Sequence, residues 1–213
     1  MTIEETEYLR NKLEDALNKV ANALGKINIG SKSQFPYGWR KAAKGRTIWR
    51  ILEEAITQNL EYKFKEFGFD ELNAADSEVG VYDFSGKFTD IDSPFYVNIK
   101  SAVIGARTNK DDISKAIRLL EFFEEDQERK LFIASFLIEF EEDMSVAVTK
   151  AIVMPTMWLP DIYVNPSNNG NLQSSKYKSI DQAVKRNNAE FVSVLTDEIE
   201  VARKKREAKA RKK

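Results

Sequence analysis

Phe95-Tyr96-Val97-Asn98-Ile99-Lys100 is an apolar run that ends in an amide and an amine. Side chains alternate across a strand, so Val97 and Ile99 point to one face while Tyr96, Asn98 and Lys100 point to the other. The first pair suits a core, and Lys100 does not, so the run reads as a strand whose second face is kept for chemistry. A turn at Ser93-Pro94 precedes it, with Phe88-Thr89-Asp90-Ile91 before the turn. Antiparallel pairing around Pro94 sets Asp90 opposite Asn98 and Phe88 opposite Lys100 on one face. An acid, an amide and an amine then converge. Asp83, in Val81-Tyr82-Asp83-Phe84, is the alternative acid, and the sequence leaves the choice between it and Asp90 open.

Such a group suits metal-assisted cleavage of a phosphodiester. A carboxylate and a neighbouring oxygen hold a hard divalent cation, which polarises the phosphate and acidifies a water, while an ammonium steadies the water or the developing charge. The chain has no Cys and no His. Disulfides, thiolate metal sites and hydrolysis by serine-histidine or cysteine-histidine pairs are therefore excluded, and an oxygen-held cation is the simplest hydrolytic machinery left.

The pattern of Asp90 followed by Asn98-Ile99-Lys100 resembles the PD-(D/E)xK nuclease superfamily, and Tyr96-Val97-Asn98-Ile99-Lys100-Ser101 resembles its type II restriction endonucleases. Asn98 stands where that pattern has an acid, although some restriction enzymes carry an amide there. The spacing from Asp90 is short for the family, and that from Asp83 is more usual. The resemblance implies a Mg²⁺-dependent endonuclease acting on double-stranded DNA. In it Asp90 binds the metal, Asn98 adds a carbonyl oxygen or water contact, Lys100 positions the attacking water and Glu53 completes the metal's surroundings. A palindromic target implies a homodimer, for which the first helix offers an interface. A repair or recombination nuclease of the same superfamily, a noncatalytic DNA-binding module and a structural assembly protein are the alternatives.

Glu53 enters through the segment 45–56, where Ile48, Ile51, Leu52, Ala55 and Ile56 repeat at helical spacing. Glu53 sits at the edge of that stripe and can turn toward a cleft, whereas Glu54, the alternative helical acid, points to solvent. Upstream, residues 16–52 contain no Asp or Glu but carry Lys19, Lys26, Lys32, Arg40, Lys41, Lys44, Arg46 and Arg50, interleaved with Phe35, Tyr37, Trp39 and Trp49. A basic, aromatic, glycine-containing loop that leads into a helix suits a grip on phosphates. Lys32, Trp39, Arg40, Lys41, Lys44 and Arg46 are its candidate DNA contacts. A second stretch, 165–175, is dense in amides, and Asn168, Asn169, Asn171 and Gln173 are candidates for base edges, although the same residues favour turns.

The net charge of -1 conceals asymmetry, since residues 203–213 carry eight basic side chains against Glu207 alone; DNA binding depends on where charge lies more than on its sum. Cations at the end of a last helix also compensate its dipole. With 213 residues and 42% hydrophobic content, the chain can bury one good core. It is expected to form a single nuclease domain over 1–213. Its parts are an N-terminal helix (1–25), a basic DNA-gripping loop (26–46), a catalytic core with recognition loop (47–178) and a C-terminal helix with basic tail (179–213). Thr2 and Glu5 cap the first helix, Asp111 or Asp112 caps a helix over 113–123, and strands run over 130–140 and 146–154. Helices before, between and after about five strands predict an α/β fold, a mixed central sheet flanked by helices with long terminal helices. No long apolar run or leader is visible, so the expected setting is the cytoplasm of a prokaryotic cell, with no membrane partner.

Overall fold

Thr2 opens α1 (Ile3–Leu24) with a reciprocal cap: its hydroxyl accepts from the Glu5 amide at 3.1 Å, and its own amide donates to the Glu5 carboxylate at 2.8 Å. The computed structural model describes residues 2–40, 44–75, 80–106, 109–167 and 170–211, with backbone alone for 44–47. The stripe Leu9, Leu13, Leu17, Val20 and Ala21 is buried. It packs on a six-stranded sheet.

That sheet runs in the order β1 (Lys26–Asn28), β7 (Ser145–Pro155), β6 (Lys130–Phe140), β4 (Ile91–Val103), β3 (Phe84–Phe88) and β2 (Glu71–Ala74). Neighbours are antiparallel except β4 and β6, which are parallel. A parallel pair needs a crossover, supplied by β5 (Asp111–Lys115) and α3 (Ala116–Glu125). The fold is thus the expected α/β arrangement with a mixed central sheet flanked by helices. β1 pairs with only the start of β7, leaving β7's outer edge open beyond it. Asn18 closes that edge by exchanging both amide hydrogen bonds with Ala151, and Glu14 accepts from the Val153 amide at 2.9 Å. Side chains of α1 thereby satisfy backbone groups that would otherwise template another strand.

One face of the sheet, with Phe84, Phe95, Val97, Ile99 and Phe136, packs under α1 and α2 (Lys44–Phe67). The other, with Leu131 and Ile133, packs under α3 and α4 (Asn188–Ala210) and encloses Trp158, Tyr177 and Phe191. β5 joins β9 (Asn171–Ser174) and β8 (Tyr163–Val164) in a second, three-stranded sheet. Gly86 marks a close approach within the main sheet, because a Cβ there would stand 2.7 Å from the Phe95 ring and 3.2 Å from the Glu71 carbonyl. Phe95 is fully buried and cannot retreat. Gly86→Val is therefore expected to cost about 2–3 kcal/mol, read as a lowered urea midpoint.

Three boundaries differ from expectation. Asp111 and Asp112 lie in a strand, not at a helix cap, because Asp112-Ile113-Ser114 alternates with only Ile113 buried. The last helix starts at Asn188, after a 3₁₀ turn at Ile180–Gln182, with Asn187 and Glu190 forming its capping box. Nine strands are described rather than about five, the extra ones being short.

Candidate active site

β3 begins at Phe84, opposite Val97, while β4 runs on to Val103. On that side β4's next backbone group lacks a strand partner. Asp83 supplies it: its amide donates to the Val97 carbonyl at 2.8 Å, and its carboxylate accepts from the Ile99 amide. A side chain thus continues the ladder by one bond, which fixes the carboxylate beside Asn98.

Asn98 is buried, its Nδ2 donating to the carbonyls of Val81 at 3.2 Å and Ile113 at 3.4 Å. Its Oδ1 is buried and has no hydrogen-bond partner among the described residues. An acceptor left so costs free energy unless something occupies it. Lys100, half-buried, follows on the same face of β4. Glu53, also half-buried, comes from α2. Glu53, Asp83, Asn98 and Lys100 line one open cleft of about 850 Å³, whose walls also include Trp49 and Asp112.

Two carboxyls of the cleft are held above their ordinary range. Burial pushes the Glu53 carboxyl up to about 7; the Asp83 charge adds to the rise, while Lys100 and Arg50 oppose it. Asp83 opens to solvent through the cleft mouth, yet the protein around its carboxylate raises it too, against the pull of the Ile99 amide and Lys100. Two carboxylates made reluctant to ionise are relieved by a positive ion. Among the described residues no three Asp, Glu, His or Cys side chains form a metal cage. The available donors are two carboxylates and the orphaned Asn98 Oδ1, and that hard-oxygen set fits Mg²⁺, which uses one or two carboxylates and completes its shell with water and phosphate oxygens.

The raised Glu53 also has a stability consequence. In the unfolded chain it ionises near 4.5, so between there and about 7 the folded form holds the extra proton. Stability then falls as pH rises through that window and stays reduced above it. Glu53→Gln is expected to melt about 2 °C above the unsubstituted protein at pH 8 and together with it near pH 4.5, as followed by circular dichroism.

Asp90 lies elsewhere. The chain turns tightly at Thr89-Asp90, where Phe88 pairs with Ile91, and a register irregularity between Gly86 and Phe88 brings Phe84 opposite Val97. The expected turn at Pro94 does not form, because Pro94 sits inside β4 just before pairing with β6 begins at Phe95. Seven residues of strand separate Ile91 from Asn98, about 23 Å. Asp90 is instead clasped from α1 by the Lys12 ammonium and by the Tyr8 hydroxyl at 2.8 Å, which hold its carboxyl below the usual range. Asp90, expected as a metal ligand, thus lies at the surface against α1 and does not line the cleft, whereas Asp83, the alternative acid, lines it together with Asn98. Glu54 is exposed at the cleft rim and accepts from Gln58.

The expected DNA contacts are redistributed. Trp39 is not free to stack on a base: its indole donates to the Glu141 carbonyl at 2.7 Å and its ring packs edge-on against Phe140. Lys32 and Arg40 are exposed, Arg40 lying over the Tyr37 ring. Lys41, Asn168 and Asn169 lie outside the described residues. Lys44 and Arg46 fall in the first turns of α2 rather than in a loop, with side chains outside the description. Asn171 and Gln173 both donate to the Asp112 carboxylate, at 3.0 and 2.6 Å, so the second sheet presents an amide-carboxylate cluster at the cleft wall. Asp112 was legible in the sequence only through the period-two pattern around Ile113.

No protein-family model matches the chain, and no curated protein matches it. Among solved structures it is similar to the NlaIV restriction endonuclease, with a TM-score of 0.44 and 12% identity over 78% of this chain and 75% of that one. Among the described residues no helix is long and apolar enough to cross a membrane.

Proposed function

We propose that the protein is a Mg²⁺-dependent endonuclease hydrolysing double-stranded DNA in the manner of a type II restriction enzyme. The observation that carries this reading is the convergence of Asp83, Glu53, Asn98 and Lys100 in one cleft, with the Asn98 Oδ1 buried and unpartnered among the described residues. Asp83, Glu53 and Asn98 Oδ1 would hold the ion, which supplies Lewis acidity toward a phosphate oxygen when bound. Asp83 is kept in place by the Ile99 amide and Asn98 by two carbonyls, so these two donors need no reorganisation. Lys100 directs its ammonium to the attacking water and to the charge that develops on the phosphate. Glu53 must be ionised to serve, so the rate is expected to rise between pH 6 and 8, with the midpoint falling as Mg²⁺ is raised, because the cation favours the carboxylate.

The exposed cations Lys32 and Arg40 and the exposed basic end of α4 suit phosphate contacts. Asn171 and Gln173 suit base edges once released from Asp112. A homodimer would place two clefts on a palindromic site, within a prokaryotic cytoplasm. Incubating purified protein with unmethylated phage DNA is expected to give discrete fragments with Mg²⁺ and none with chelator. Intact DNA across divalent metals and salts would reject the proposal.

A further inference from the structure

Tyr96, Asn98 and Lys100 share one face of β4, and a second hollow opens on the Tyr96 side of the cleft. It has a volume of about 670 Å³ and shares Gly80 and Lys115 with the cleft as common walls. Its floor is aromatic: the Tyr82 and Tyr96 rings lie 4.8 Å apart, and Phe122 stands edge-on to Tyr96 at 5.1 Å. Neither tyrosine is fully buried. Arg129 closes the far side, tied to Glu125 at 2.7 Å and to the Phe122 carbonyl at 2.9 Å. At the mouth stand exposed Lys115, Arg118 and Ile117.

Phe122 is buried in the core, with the Arg129 guanidinium 4.6 Å over its ring and 6.0 Å over that of Tyr96, and the half-buried Tyr82 and Tyr96 line the hollow above it. Aromatic faces with cations at the rim stack any base and hold the phosphates that flank it. Two residues of strand, about 6.6 Å, separate Tyr96 from Asn98, so a nucleotide next to the phosphate in the cleft reaches the hollow. We infer that the Tyr82-Tyr96-Phe122 hollow receives one unpaired nucleobase, turned out of the duplex beside the phosphate held in the cleft. A base enters such a pocket only when unstacked, and an already unpaired base enters at least cost.

This inference rests on the nuclease reading, and the test separates the two. Cleavage-impaired Lys100→Ala protein is titrated with a fully paired duplex and with the same duplex carrying one bulged 2-aminopurine. The bulged duplex is expected to bind about tenfold more tightly, with its fluorescence quenched by the tyrosines. Adding Tyr82→Leu, or separately Arg118→Ala at the exposed rim, is expected to shrink that preference to within twofold while binding to the paired duplex persists. Equal binding of both duplexes without quenching overturns the hollow alone, as does a preference that survives both substitutions. Failure to bind either duplex overturns the hollow and the nuclease reading together.

Discussion

Lys100→Ala is expected to lower single-turnover cleavage about 10²–10³-fold while leaving affinity for duplex DNA within about threefold. The magnitude follows from what one preorganised charged donor contributes where charge develops in a transition state. The selectivity follows from position. Lys100 lines the cleft on the same strand face as Asn98 and is half-buried, unlike the exposed cations Lys32 and Arg40. A lysine that merely added to the phosphate grip would cost binding and cleavage together, with a shallower salt dependence. Gel-shift titration beside a quenched-flow cleavage assay distinguishes the two, and Lys100→Arg is expected to recover little, because a planar guanidinium does not replace a compact ammonium aimed at one water.

The second large effect is a contrast between two aspartates. Asp83→Asn is expected to reduce Mg²⁺-dependent cleavage by at least about 10²-fold, in line with losses seen when metal-site ligation is disturbed. Asparagine keeps an oxygen to accept the Ile99 amide, so the strand end remains in place and the loss falls on charge. Asp90→Asn should leave cleavage within twofold, since Asp90 faces Tyr8 and Lys12 on α1 rather than the cleft. Its effect should be a slightly lowered melting temperature from a weakened surface clasp. A loss of activity in Asp90→Asn with none in Asp83→Asn would reverse the assignment.

The alternation of Phe95 to Lys100 was enough to identify the central strand, its core face and its chemical face, and Val97 and Ile99 are buried with Lys100 turned the other way. The stripe of α1 and its Thr2 cap were equally plain, because capping and helical periodicity are local. Strand register is not local. The turn at Thr89-Asp90 and the irregularity at Gly86 are selected by the fit of Phe95 over Gly86, and no dipeptide signal outweighed the Ser93-Pro94 one. The edge position of Glu53 on α2 was readable, and it does line the cleft. What composition could not convey is that Trp39 is bonded to Glu141, so an aromatic among cations belongs to the scaffold. Nor could it convey that Asp112, on β5 of the second sheet, gathers Asn171 and Gln173 at the same wall.

The central claim is that Asp83, Glu53 and Asn98 form a hard-cation site. Terbium luminescence sensitised by tryptophan tests it most directly, because Trp49 lines that cleft and Tb³⁺ favours the same oxygen donors. The signal is expected to saturate in the unsubstituted protein and in Asp90→Asn, to be displaced by Mg²⁺, and to vanish in Asp83→Asn. Luminescence that persists in Asp83→Asn and in Glu53→Gln, or that disappears in Asp90→Asn, would contradict the account.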